Sequence, residues 1–270
     1  MIVMELRRQL ARPRTWTTIA MLCLLPAIVA VFLALTKIGP RPGQGPTFLS
    51  AVLGNGALYP AAALGIVLPF FLPIAVAVVA GEAVAGEATA GTLRYLLVRP
   101  VGRTRLLVAK LVSILVFTLV SVLAVAVTGY VAGVSLLGTS SSATTTTLSG
   151  TTLTTSALAW RTALMVLYIG WSMVGVAAVS LLLSTLTDSP LAAALGGLAA
   201  LVASSVLVAL DAAGGVRDYL PTRYWLAWVD LFRDPVLWHD VERGVLVQTA
   251  YVVVLLGAAW ANFATRDITS

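Results

Sequence analysis

Long apolar runs alternate with shorter polar stretches along this chain. Six runs, at about 16–35, 60–80, 105–136, 160–186, 191–210 and 245–263, are each long enough to cross a bilayer as a helix. Ahead of the first, residues 1–14 place Ile2, Val3, Leu6 and Leu10 on one helical face and Glu5, Arg8, Gln9 and Arg12 on the other, the pattern of an interfacial helix. The second run contains Pro69 and Pro73 and is expected to kink. The third is longer than a bilayer requires, so it tilts or projects. Before the fifth, Asp188 or Ser189 can cap a helix whose first turn holds Pro190. In the stretch 211–244, Trp225, Trp228, Val229 and Phe232 share one helical face, which predicts an amphipathic helix at a membrane interface. The expected fold is therefore an all-α membrane protein with six transmembrane helices. An interfacial helix precedes them and an amphipathic helix precedes the last.

Composition agrees. Hydrophobic residues make up 59% of the chain and charged residues 10%; mean hydropathy is +0.98. These values lie outside the range of soluble domains. The 270 residues suit a single membrane domain, 1–270. It divides into the interfacial helix (1–14), spans one and two (15–80), a polar segment (81–104), spans three to five (105–210), the amphipathic segment (211–244) and span six (245–264). The 37–58 loop is rich in Gly and Pro, and the Ser/Thr tract 139–156 reads as a mobile low-complexity loop. The first apolar run is long for a signal-peptide core and lacks a cleavage site, so it is expected to remain as an anchor.

The net charge of +6 sets orientation more than chemistry. Arginines cluster in the N-terminal segment and in 81–110, whereas the four of 211–244 are outnumbered by the acids around them. The bias predicts a multi-pass protein of the cytoplasmic membrane with both termini and the 81–104 segment inside, and with 37–58, 139–156 and 211–244 outside. Membrane lipids are expected partners and nucleic acid is not.

Several chemistries lack their residues. Neither Lys37 nor Lys110 follows a glycine, so there is no phosphate-binding GK[ST] loop. The single histidine, His239, and the single cysteine, Cys23, supply neither a metal set nor a hydrolytic triad. Acidic residues stand at span ends or in loops, which argues against a proton-coupled carrier. No catalytic, cofactor-binding or metal site is expected. A lipid-modifying membrane enzyme would need converging groups that Asp188, Asp211 and His239 do not supply. A scaffold or sensor without a transport role is the other alternative.

The most patterned polar stretch is 81–110, which holds five of the seventeen Lys and Arg residues. Leu93, Leu96 and Leu97 form one apolar stripe, with Arg94 and Arg99 off it. Pro100 ends this short helix at Arg99, Gly102 allows a turn, and Thr104 can cap the helix that follows. On pattern alone this is either a presented amphipathic helix or a basic loop resting on headgroups.

From Glu82, and then from Glu87 through Gly91-Thr92-Leu93, Leu96-Leu97, Pro100 and Arg103 to Lys110, the stretch resembles the cytoplasmic signature of type-2 ABC exporter permeases. The resemblance extends to the basic first helix, the six spans and the Ser-Pro turn. It implies a dimer of permease halves, as a homodimer or with a similar chain, above two copies of an ABC ATPase. That subunit would bind ATP and Mg, so this chain would not itself be an enzyme. A coupling helix at Thr92–Arg99 would dock on the ATPase, and Glu82, Glu87, Thr92, Leu93, Arg94, Leu96, Leu97, Arg99 and Arg103 are the candidate coupling residues. The implied path for an amphiphilic drug, lipid or peptide runs along spans two and five, making Phe70, Phe71, Ser204 and Ser205 candidate lining residues. Trp225, Trp228 and Phe232 are candidates for an outer gate.

Overall fold

The computed structural model describes residues 1–37, 51–53, 55–90, 102–138, 144–146 and 152–265. The chain is mostly helical, and six helices are long and apolar enough to span a membrane. It is a multi-pass membrane protein.

Helix α1, Ile2–Leu10, buries no residue fully. Extended Arg12 and then Pro13, whose missing N–H costs nothing at a helix start, turn the chain into α2, Pro13–Thr36. The expected second span is two helices, α3, Tyr59–Val67, and α4, Phe71–Thr89. The expected kink is thus a full break, at Leu68-Pro69-Phe70: Pro69 has no N–H to continue the ladder, and Phe70 takes a non-helical φ of −135°. Pro73 falls in the first turn of α4, where it is tolerated. Helix α4 runs well past Ala80, the expected end of the span.

Helix α5, Arg103–Ala132, continues through a π-helical turn, Gly133–Leu137. Part of the Ser/Thr tract forms a hairpin, β1 (Thr144–Thr146) with β2 (Thr152–Thr154), in antiparallel register with Thr145 opposite Leu153. Branched threonines suit a strand, so the described part of this tract is ordered rather than a featureless loop. Helix α6, Thr155–Leu186, is capped by Thr154, whose hydroxyl accepts from Ala157 N. Helix α7, Pro190–Ala209, is capped by Ser189, whose hydroxyl accepts from Ala192 N, with Pro190 in its first turn as expected. Two 3-10 segments, Asp211–Tyr219 and Ala227–Phe232, precede α8, Trp238–Thr265.

Of the six long apolar helices, α4 and α6 are the most buried. Helix α4 lies between α6 and α7, α8 flanks α6, and α2 and α3 lean on α5. Gly81 makes the α4–α7 approach possible: a Cβ there would sit 2.9 Å from Ala194 N. Long-range bonds fix the two ends of the bundle. At one end Arg103 Nη1 donates to the Ala264 carbonyl (2.9 Å), Trp260 Nε1 to Thr104 Oγ1 (2.9 Å) and Asn262 Nδ2 to the Thr185 carbonyl (2.8 Å). Met1 lies at this end too, because α1 packs beside α5 there. At the other end Gly56 N donates to Gly138 O (2.9 Å) and Arg161 Nη1 to Arg233 O (2.7 Å).

Candidate functional site

Charge concentrates where α1, α4 and α5 meet. The inward face of α4 runs through Ala80, Val84 and Glu87, that of α5 through Leu106, Leu107, Lys110, Ser113 and Ile114. Helical spacing therefore carries one acid and one base into the core. Lys110 Nζ lies 2.5 Å from Glu87 Oε1 and 2.6 Å from Glu5 Oε1. Arg8 Nη1 reaches the same Glu87 oxygen at 2.9 Å. Two acids and two bases close a neutral group, which is what permits the burial of Glu87 and Lys110, 5% and 4% exposed. Ser113 donates to the Gln9 side chain beside it.

A second pair, Arg14 Nη1 to Glu82 Oε1 at 2.9 Å, stands closer to solvent. Between the two groups opens a cleft of about 670 Å³, with α2 and α4 as its walls and α5 as its floor. Arg12 also lines it and has no ion-pair partner among the described residues.

The candidate coupling residues divide. Glu82 and Glu87 lie in the last turns of α4, inside the helix rather than in a displayed loop. Glu87 is held in the buried group and Glu82 by Arg14. Arg103 begins α5 and donates to the C-terminal end of α8. Thr92, Leu93, Arg94, Leu96, Leu97 and Arg99 lie outside the described residues.

The candidate path residues do not form one lining. Phe70 and Phe71 are exposed at the break before α4. Ser205 is exposed on α7, whereas Ser204 turns inward and shares a 2.8 Å hydrogen bond with Thr222 Oγ1.

The aromatic residues before α8 do not make an amphipathic α-helix. Trp228 and Phe232 are completely buried in a 3-10 wedge between α6 and α8, with ring centroids 6.3 Å apart at 87°, and Trp225 is nearly so. The face read as interfacial packs against the chain's own helices. Tyr168 OH donates to the Tyr224 carbonyl (2.7 Å), and Arg233 Nε pairs with Asp230 (2.7 Å).

Sequence reasoning passed over Glu5, Arg8, Arg12 and Arg14 as elements of a site, taking the first three as the solvated side of an interfacial helix. Lys110 was given only as the end of the exporter-like signature, although its helical spacing with Leu106, Leu107, Ser113 and Ile114 carries the signal that it turns inward.

Residues 24–269 match the sequence profile of a family described as "Protein of unknown function (DUF2705)". The chain belongs to this family. A search of curated proteins finds no match. That description names no activity.

Proposed function

We propose that this chain is the permease half of an ATP-driven exporter of the type-2 ABC class, moving an amphiphilic drug, lipid or peptide. One observation carries the reading. The segment between α4 and α5, which bears the exporter-like signature, is rooted at both ends in ionic and hydrogen-bonded clamps. On one side Glu87 meets Lys110 and Arg8, with Glu5 bound to the same ammonium, and on the other Arg103 holds the end of α8. A force applied to the segment would reach α1, α4 and α5 through charged groups that are buried against one another and resist separation, and α8 through the Arg103 hydrogen bond.

In this reading the segment 91–101 docks on a separate ATPase in the cytoplasm. ATP binding there changes the spacing of two such segments in a dimer of permeases, and the helices alternate between inward and outward openings. Phe70, exposed at the break before α4, and Ser205, exposed on α7, face the second half. The wedge around Trp228 closes the outer end of the bundle. The chain carries out no covalent chemistry.

The test is the double substitution Leu96→Asp/Leu97→Asp. Each leucine, buried in a groove of the ATPase, would contribute about 1.5–3 kcal/mol. The variant is expected to insert and dimerise yet lose a Walker-type ATPase on purification in mild detergent. Unchanged copurification and transport would refute the reading.

A further inference from the structure

The cleft between α2 and α4 has an unbalanced charge. Its lining holds the cations Arg8, Arg12, Arg14 and Lys110 against the acids Glu5, Glu82 and Glu87. Lys110 and Arg8 are bound to Glu5 and Glu87, and Arg14 is bound to Glu82. Arg12 is the surplus, exposed and without an ion-pair partner among the described residues. Arg14 uses one nitrogen on Glu82, and a guanidinium has further donors. The cleft as a whole therefore lacks one negative charge, at the depth where α2 begins and α4 ends.

Its upper wall is apolar and continues as a track. From Glu82 the outward face of α4 steps by helical spacing to Val78, Ile74 and Phe71, the last three all exposed. From Glu82 to Phe71 this is about 16 Å of helix, close to the roughly 15 Å of one leaflet's hydrocarbon. Val78 belongs to both the cleft and the track.

A group with one negative charge and a long apolar chain matches both halves. We infer that the cleft binds an anionic phospholipid, its phosphodiester between Arg12 and Arg14 and one acyl chain along Val78, Ile74 and Phe71. Arginine favours this role because its planar fork meets two phosphate oxygens at once. Basic pockets between membrane helices suit such headgroups. The inference needs only the membrane fold, and it stands or falls separately from export.

The experiment uses the purified full chain in neutral detergent and follows its melting temperature as lipid is titrated. Phosphatidylglycerol is expected to raise it saturably, with phosphatidylcholine and soluble glycerol 1-phosphate giving little. Two variants that melt like wild type without lipid complete the test. Arg12→Gln removes the surplus charge, and Val78→Trp obstructs the track while leaving every charge in place. Each is expected to weaken the phosphatidylglycerol response about tenfold. Arg7→Gln, on an exposed arginine of α1 outside the cleft, should keep it. Equal shifts with phosphatidylcholine would overturn the anionic headgroup. An equal shift with glycerol 1-phosphate would overturn the acyl track in favour of a free phosphate site. An equal loss in Arg7→Gln would reduce the effect to general surface charge. Should Arg12→Gln fail to fold, retention of the full response by Val78→Trp would overturn the inference by itself.

Discussion

The Lys110 ammonium lies 2.5 Å from the Glu87 carboxylate, and neither side chain is more than 7% exposed. The pair joins the end of α4 to the start of α5 across the polar segment between them. Removing one partner of such a pair leaves an uncompensated buried charge, at a cost of roughly 3–5 kcal/mol. Lys110→Met is therefore expected to lower the melting temperature of the purified protein strongly. Glu87→Gln in the same chain should recover part of the loss, with a coupling of about 1–3 kcal/mol in the double-mutant cycle. Strict additivity would mean that the two groups do not sense each other.

Glycines at the opposite end of the bundle make a second junction. A Cβ on Gly56 would lie 2.1 Å from the Gly133 carbonyl oxygen, and one on Gly133 would lie 2.2 Å from the Gly56 oxygen. Backbone meets backbone there, so no side chain can yield. Gly56→Ala and Gly133→Ala are each expected to reduce the yield of monodisperse protein and its melting temperature. Gly170→Ala, in α6 with nothing within 4 Å, should be neutral or stabilising by up to about 1 kcal/mol. Equal behaviour of all three would show that the junction opens freely.

The wedge before α8 gives a third. Trp228 and Phe232 are fully buried, so truncating either to Ala is expected to cost about 3–5 kcal/mol, read as a lower melting temperature. A role in substrate exit is better probed at Leu226, which is 55% exposed in the same segment. Leu226→Ser should leave melting unchanged, and a changed substrate stimulation of the partner ATPase would then mark a gate. Normal transport by Leu226→Ser would leave the wedge a purely structural closure.

Orientation is checked with single cysteines after replacement of Cys23. The arginine bias predicts that Arg103→Cys is protected and Thr145→Cys is labelled when an impermeant thiol reagent is added to intact cells. The reverse pattern would invert the topology and place the charged cleft outside.

Much of this protein follows from local sequence. Six apolar runs specify helices, the second of them broken into two, because a bilayer-spanning backbone must satisfy its own hydrogen bonds. Pro69 marks the break before α4, and Ser189 with Pro190 starts α7. These are properties of neighbours along the chain. Tertiary structure decided where the amphipathic faces went. Arg8 and Glu5 read as the wet side of an interfacial helix, yet α5 brings Lys110 beneath them and converts that side into an ionic core. Trp228 and Phe232 read as rings for a membrane interface, yet α6 and α8 enclose them. Spacing says only that polar or aromatic residues share a face. Whether that face meets water, lipid or another helix depends on residues far away in sequence, and burying a charge is tolerated only when the fold delivers its counter-charge.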